Sequence, residues 1–216
     1  MSDLRLTVAK WYLGCLDSAR MPEFAQEALA NGADGKNLAQ LAGLVEPTKR
    51  DVQGLVDGVF RELGVAAPLS KDEAALWMLD FVKEQARSTA ITAGTLVGKL
   101  LIALPELEGS YLEEAKSPAG LPGDHCVFGL ILKPAMAAQI PNGSADFLRR
   151  SCSFFEQVCS SKDSEAINVL WIEVFEWLVH SKSGELKSLW PILGRSTKEV
   201  IREVARRRRE TENLPS

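Results

Sequence analysis

The chain has 216 residues, of which 46% are hydrophobic and 25% charged, with a net charge of −4. That length buries a core without disulfides or metals, that composition matches ordinary globular usage and not a disordered chain, and the acidic balance does not suggest a whole-protein nucleic-acid binder. No apolar run reaches the ~18 residues that span a bilayer, and no basic start followed by an apolar run marks a leader, so the expectation is a cytoplasmic protein with no membrane partner.

Leu4, Val8, Trp11, Tyr12, Cys15 and Leu16 recur at three-four spacing and predict an amphipathic first helix. Pro22-Glu23 suits a helix start, where the missing proline N–H is no loss and the acid meets the positive end. Asn31-Gly32 closes that helix in the left-handed manner. A short helix over 37–42 follows. The next opens at Glu46-Pro47-Thr48 and carries Val52, Leu55, Val56, Val59, Phe60 and Leu63 inward. Ser70 and Glu73 form a capping box ahead of a face built from Ala74, Trp77, Met78, Phe81 and Val82. Thr89 to Leu104 reads as one Thr- and Gly-rich helix.

From about residue 100 the character changes. Leu100 to Leu193 holds 12 acidic against 7 basic residues, whereas Arg195 to Ser216 holds 7 basic against 4 acidic. Pro105 leads a short acidic helix, and Ser117 to Asp124, with two Pro and two Gly, is a loop. Cys126 to Gln139 predicts a nearly uncharged helix, kinked or broken near Pro134 and buried on most sides. Two helices then repeat each other at an offset of twenty: Phe155-Glu156 matches Phe175-Glu176, and Val158 matches Leu178. Ser144 is the expected cap of the first, Asp163 or Ser164 of the second. A short helix stopped by Gly194 follows, then a last helix with a Ser196–Glu199 capping box that ends in Arg206 to Arg209. No stretch alternates over strand length. The expectation is an all-α fold of about ten antiparallel helices in a two-part bundle, divided as 1–99 and 100–216, with a HEAT-like helical hairpin repeat in the second part.

Motifs for chemistry are absent: there is no GxSxG, Walker loop, GxGxxG or HExxH, and no cofactor, metal or small-molecule substrate is implied. Cys15, Cys126, Cys152 and Cys159 lack CxxC spacing, and the last two stand about 10 Å apart along a helix, so all four read as small buried hydrophobes. His180 follows Glu176 by one helical turn, which allows either an acid–base pair or a histidine complementing the helix end. Glu156, Glu173 and Glu176 have three readings: a carboxylate pair for metal, side chains at the edge of the apolar stripe, or an acidic recognition surface. The third reading joins them with Trp177, Asp124, Glu113 and Glu114 as candidate partner-binding residues. Arg206 to Arg209 reads either as a helix-end cation cluster or as a contact to nucleic acid or an acidic patch.

The run Leu16-Asp17-Ser18-Ala19-Arg20-Met21-Pro22-Glu23-Phe24-Ala25, onward through Leu38-Ala39-Gln40-Leu41-Ala42-Gly43-Leu44 to Arg61-Glu62-Leu63-Gly64, resembles a helical module of uncharacterised bacterial proteins. Phe154-Phe155-Glu156 and Val174-Phe175-Glu176-Trp177-Leu178 resemble a second family of small helical bacterial proteins, of the kind suspected to be immunity proteins of toxin systems. The resemblance implies a non-enzymatic protein that binds a protein partner, a cognate toxin, by occluding it. The alternatives are a helical scaffold or adaptor, and a nucleic-acid-binding regulator.

Overall fold

The computed structural model describes residues 2–87, 89–117, 121–142, 145–181 and 184–215. Among them every regular element is helical, with no strand, and the helices number 12 rather than about ten. The chain forms two compact units: Met1–Phe81 with Ala115–Leu121, and Val82–Glu114 with Pro122–Ser216. The division expected at 99/100 falls inside a helix whose residues all belong to the second unit.

The first unit contains α1 (Ser2–Tyr12), α2 (Met21–Ala30), α3 (Lys36–Ala42), α4 (Lys49–Glu62) and the part of α5 (Lys71–Arg87) up to Phe81. Its core gathers Val8, Met21, Ala25, Leu38, Leu41, Val52, Val56, Val59 and Phe60. Tyr12 and Phe24 tilt against Phe60, their ring centroids 6.0 and 6.5 Å away. Local signals hold here. Thr48 and Asp51 form a capping box at α4, Ser70 and Glu73 form one at α5, and Gly32 takes the left-handed conformation after α2.

The second unit contains the rest of α5, then α6 (Leu96–Ala103), α7 (Glu108–Ala115, through Glu114), α8 (residues 124–142), α9 (Ala145–Ser161), α10 (residues 164–180), α11 (Glu185–Leu189) and α12 (Arg195–Arg208). Gly98 brings α6 onto α5: a Cβ there would lie 2.3 Å from the Val82 carbonyl oxygen. The helix expected over 89–104 is shorter, since a 3-10 turn at Ala93–Thr95 precedes Leu96. The α8 helix does not break at Pro134. A π-helical segment, Val127–Leu132, stands immediately before that proline. The wider turn relieves the missing N–H and the ring's clash with the carbonyl four residues back. A second π-helical segment, Trp171–Phe175, lies inside α10. Between these helices run the buried rings of Phe128, Phe154, Phe155 and Phe175, with the two repeat-equivalent rings, Phe155 and Phe175, 5.7 Å apart at 89°.

The end of α11 is a 3-10 turn at Trp190–Ile192 around Pro191. Asp163, not Ser164, caps α10, its carboxylate accepting from the Ala166 N–H. The cap expected at Ser144 lies outside the described residues. The capping box expected at Ser196 and Glu199 is not formed: the N-cap of α12 is Gly194, and Glu199 pairs instead with Arg195 at 3.0 Å.

Candidate functional site

The two glutamates equivalent in the repeat do not approach each other. They bracket α12. Glu156, from α9, accepts the Ser196 N–H at 2.9 Å, the Thr197 N–H at 2.9 Å and the Thr197 hydroxyl at 2.8 Å. It thereby replaces the side-chain cap that Gly194 lacks. Gly194 is required for this approach, since a Cβ there would lie 2.3 Å from Glu156 Cδ. Partial burial raises the Glu156 carboxyl, but the backbone N–H groups of Thr197 and Ser196 outweigh it and hold the group below the usual range. At the other end of α12, about 18 Å away along an ideal helix, Glu176 accepts from the Arg208 guanidinium and, at 3.1 Å, from the Trp171 indole N–H. Neither carboxylate is a free recognition group.

Glu173 is likewise engaged. His125 Nδ1 stands 2.9 Å from its Oε1, and its Oε2 occupies the space over Gly129, where a Cβ would come within 2.4 Å. This contact joins the two π-helical segments. His180 does not meet the Glu176 side chain: its Nδ1 lies 2.6 Å from the Glu176 carbonyl oxygen and its Nε2 3.2 Å from Glu210. Among the described residues no three His, Cys, Asp or Glu side chains stand together in a way that could hold a metal ion.

The Glu–Gly device also occurs in the first unit. Glu62, from α4, accepts the Asn37 and Leu38 N–H groups at 3.0 and 2.9 Å and fills the space over Gly35.

Most of the arginine run is bound within the molecule. Glu203 holds Arg206 at 2.5 Å and Arg207 at 2.9 Å, while Arg207 also lies 5.1 Å over the Trp171 ring. Farther back on α12, Lys198 and Arg202 stand 5.5 and 5.4 Å from the Trp190 ring. Trp177 is half-buried, as is Asp124, whose carboxyl is pushed up by burial. Cys152 and Cys159 are buried and their thiols raised to about 12, but Cys126 is exposed, against expectation, because it lies on the first turn of α8 before the buried π segment.

Glu113 and Glu114 do come together with something else. With Glu106, Gly109 and Ser110 on and before α7, and Leu130 and Ile131 on α8, they line a groove of about 570 Å³. Leu130 is 63% exposed at its wall. Arg150 holds one rim: it donates to the Ala103 carbonyl at 2.9 Å, to Asp146 at 2.9 Å and to Glu106, whose carboxyl its hydrogen bond lowers. The groove is therefore a bare leucine beside three carboxylates, of which Glu106 is held in place by Arg150. Sequence reasoning missed Leu130 because it stands in an apolar run that reads as buried throughout.

No protein-family model, curated protein or solved structure matches the chain.

Proposed function

We propose that the protein binds a protein partner through the α7–α8 groove, and that the partner presents a basic, partly apolar surface, as a toxin neutralised by its immunity protein would. One observation carries this reading: an exposed leucine rimmed by Glu106, Glu113 and Glu114. Exposed apolar side chains enclosed by polar rims are the usual anatomy of a contact site. The acid supplies charge complementarity and faster encounter, and Leu130 supplies the buried anchor. In this reading α9 and α10 form a HEAT-like hairpin repeat whose carboxylates brace α12 instead of facing the partner. Glu106, Glu113 and Glu114 line the contact, whereas Glu156, Glu173 and Glu176 support the scaffold.

The test is co-expression with the product of the adjacent gene, scored as growth rescue and as a purified complex. Rescue that is lost in Leu130→Asp and in Glu114→Lys, with unchanged unfolding curves, supports the proposal. A neighbour's product that neither binds nor is neutralised, or a complex indifferent to both substitutions, overturns it.

A further inference from the structure

A different set of residues, on α10 and α12 and the turn before α10, lines a second cavity of about 690 Å³: the cations Lys162, Arg207 and Arg208, the Trp171 ring, the apolar Ile167 and Ile172, the polar Ser164 and Asn168, and one carboxylate, Glu176, which is already engaged by Arg208 and Trp171. Its size suits a ligand of nucleotide dimensions. Its lining combines an aromatic platform with three cations against one carboxylate. Trp171 is half-buried and held by its indole N–H on Glu176, and Arg207 is stacked on it. Ile172 is 44% exposed and widens the apolar part of the wall.

The cations are in excess. Glu203 serves two guanidinium groups and Glu176 one. Lys162 adds a charge with no bond to any described residue, at an exposed turn held in the left-handed conformation with φ of 64°. Arg207 uses its Nε on Glu203 and Arg208 one terminal nitrogen on Glu176, so each fork keeps N–H donors for another acceptor. The two carboxylates hold the guanidinium groups in place, which lowers the entropic penalty of binding an anion.

We infer that this cavity binds a nucleoside phosphate, either free or as one unit of an RNA strand, with the planar base against the Trp171–Arg207 stack and Ile172 and the phosphate between Lys162, Arg207 and Arg208. Stacking on an aromatic side chain beside a basic wall is how single strands are held without reading their sequence. The overall acidity of the chain hides the site, because the positive charge is confined to one turn and one helix end.

The experiment titrates the full-length protein with ATP by calorimetry, and with a fluorescein-labelled ten-nucleotide single-stranded RNA by anisotropy, at ~50 and ~200 mM salt. Binding in the ATP arm assigns a free nucleotide; binding of RNA alone assigns the strand. In either case Lys162→Glu, which changes only an exposed turn, and Trp171→Ala should each weaken binding by about tenfold or more, as stacking and phosphate contacts of this kind do. Trp171→Phe, which keeps a stacking face, should retain most of it. The inference is overturned by no binding of either probe, or by affinity that survives both Lys162→Glu and Trp171→Ala.

Discussion

Gly194 and Glu156 should behave as one unit in a double-mutant cycle. Glu156→Ala removes three hydrogen bonds from the first turn of α12. Loss of a cap costs about 0.5–2 kcal/mol and loss of a carboxylate at a helix N-terminus a further 0.3–1, so the total expected is about 2 kcal/mol. Gly194→Ala should lose nearly the same amount by another route. The new Cβ would stand 2.3 Å from Glu156 Cδ, and the flexible side chain, rather than the backbone, gives way. The backbone at Gly194, with φ of −74°, accepts alanine without strain. Once Glu156 is gone the second substitution has nothing left to displace and should change stability by less than about 0.5 kcal/mol. Urea unfolding of the four proteins therefore gives two singles and a double all lowered by about 2 kcal/mol and a coupling of about the same size, and thermal unfolding gives a Tm lowered by roughly 4–8 °C in each. Additive singles, or a harmless Gly194→Ala, would refute the argument. A pH series sharpens it. The native Glu156 carboxyl lies below its ordinary value of 4.5, so its contribution is complete above that pH and is lost as the pH falls through the lowered native value. The penalty of Glu156→Ala should shrink over that acid range.

Gly35 and Glu62 should show the same coupling, read from the unfolding of the Gly35→Ala and Glu62→Ala variants and their double. Gly98→Ala should be worse than either glycine change, at about 2–3 kcal/mol, because the atom its Cβ meets is the Val82 carbonyl oxygen and no side chain can swing aside. Native-state alkylation near pH 8, followed by mass spectrometry, should label Cys126 and leave Cys152 and Cys159 untouched until denaturant is added, since burial raises both thiols to about 12. Early labelling of either buried cysteine would count against the packing described for α9.

What could be read in advance follows the range over which the physics acts. The caps at Thr48 and Ser70 are closed by residues three positions on, and Gly32 ends its helix by its own backbone; such signals lie within a few letters of the sequence. The cap of α12 is supplied from 40 positions away, so Ser196–Glu199 presented a plausible local box while the true acceptor stood on another helix. The π-helical segments left no signal of their own, because no residue type requires the wider turn; only Pro134 marked the place where α8 departs from regularity. The carboxylates misled in a consistent way. Glu156, Glu173 and Glu176 were legible as conspicuous, but whether a glutamate faces water or a helix end depends on what the fold packs beside it. Glycine was the available clue: Gly35, Gly129 and Gly194 each stand where a carboxylate needs the room a side chain would take.

The bracing of α12 has a consequence for synthesis. Segments emerge from the ribosome in chain order, so α9 and α10 are made before Ser196 and Arg208 exist. Until then Glu156 and Glu176 have no helix to hold, and the apolar faces of Ile201, Val204 and Ala205 have not arrived to be buried. The buried face of α12 and the cap that Glu156 gives it can therefore form only after the helices they pack against have been made.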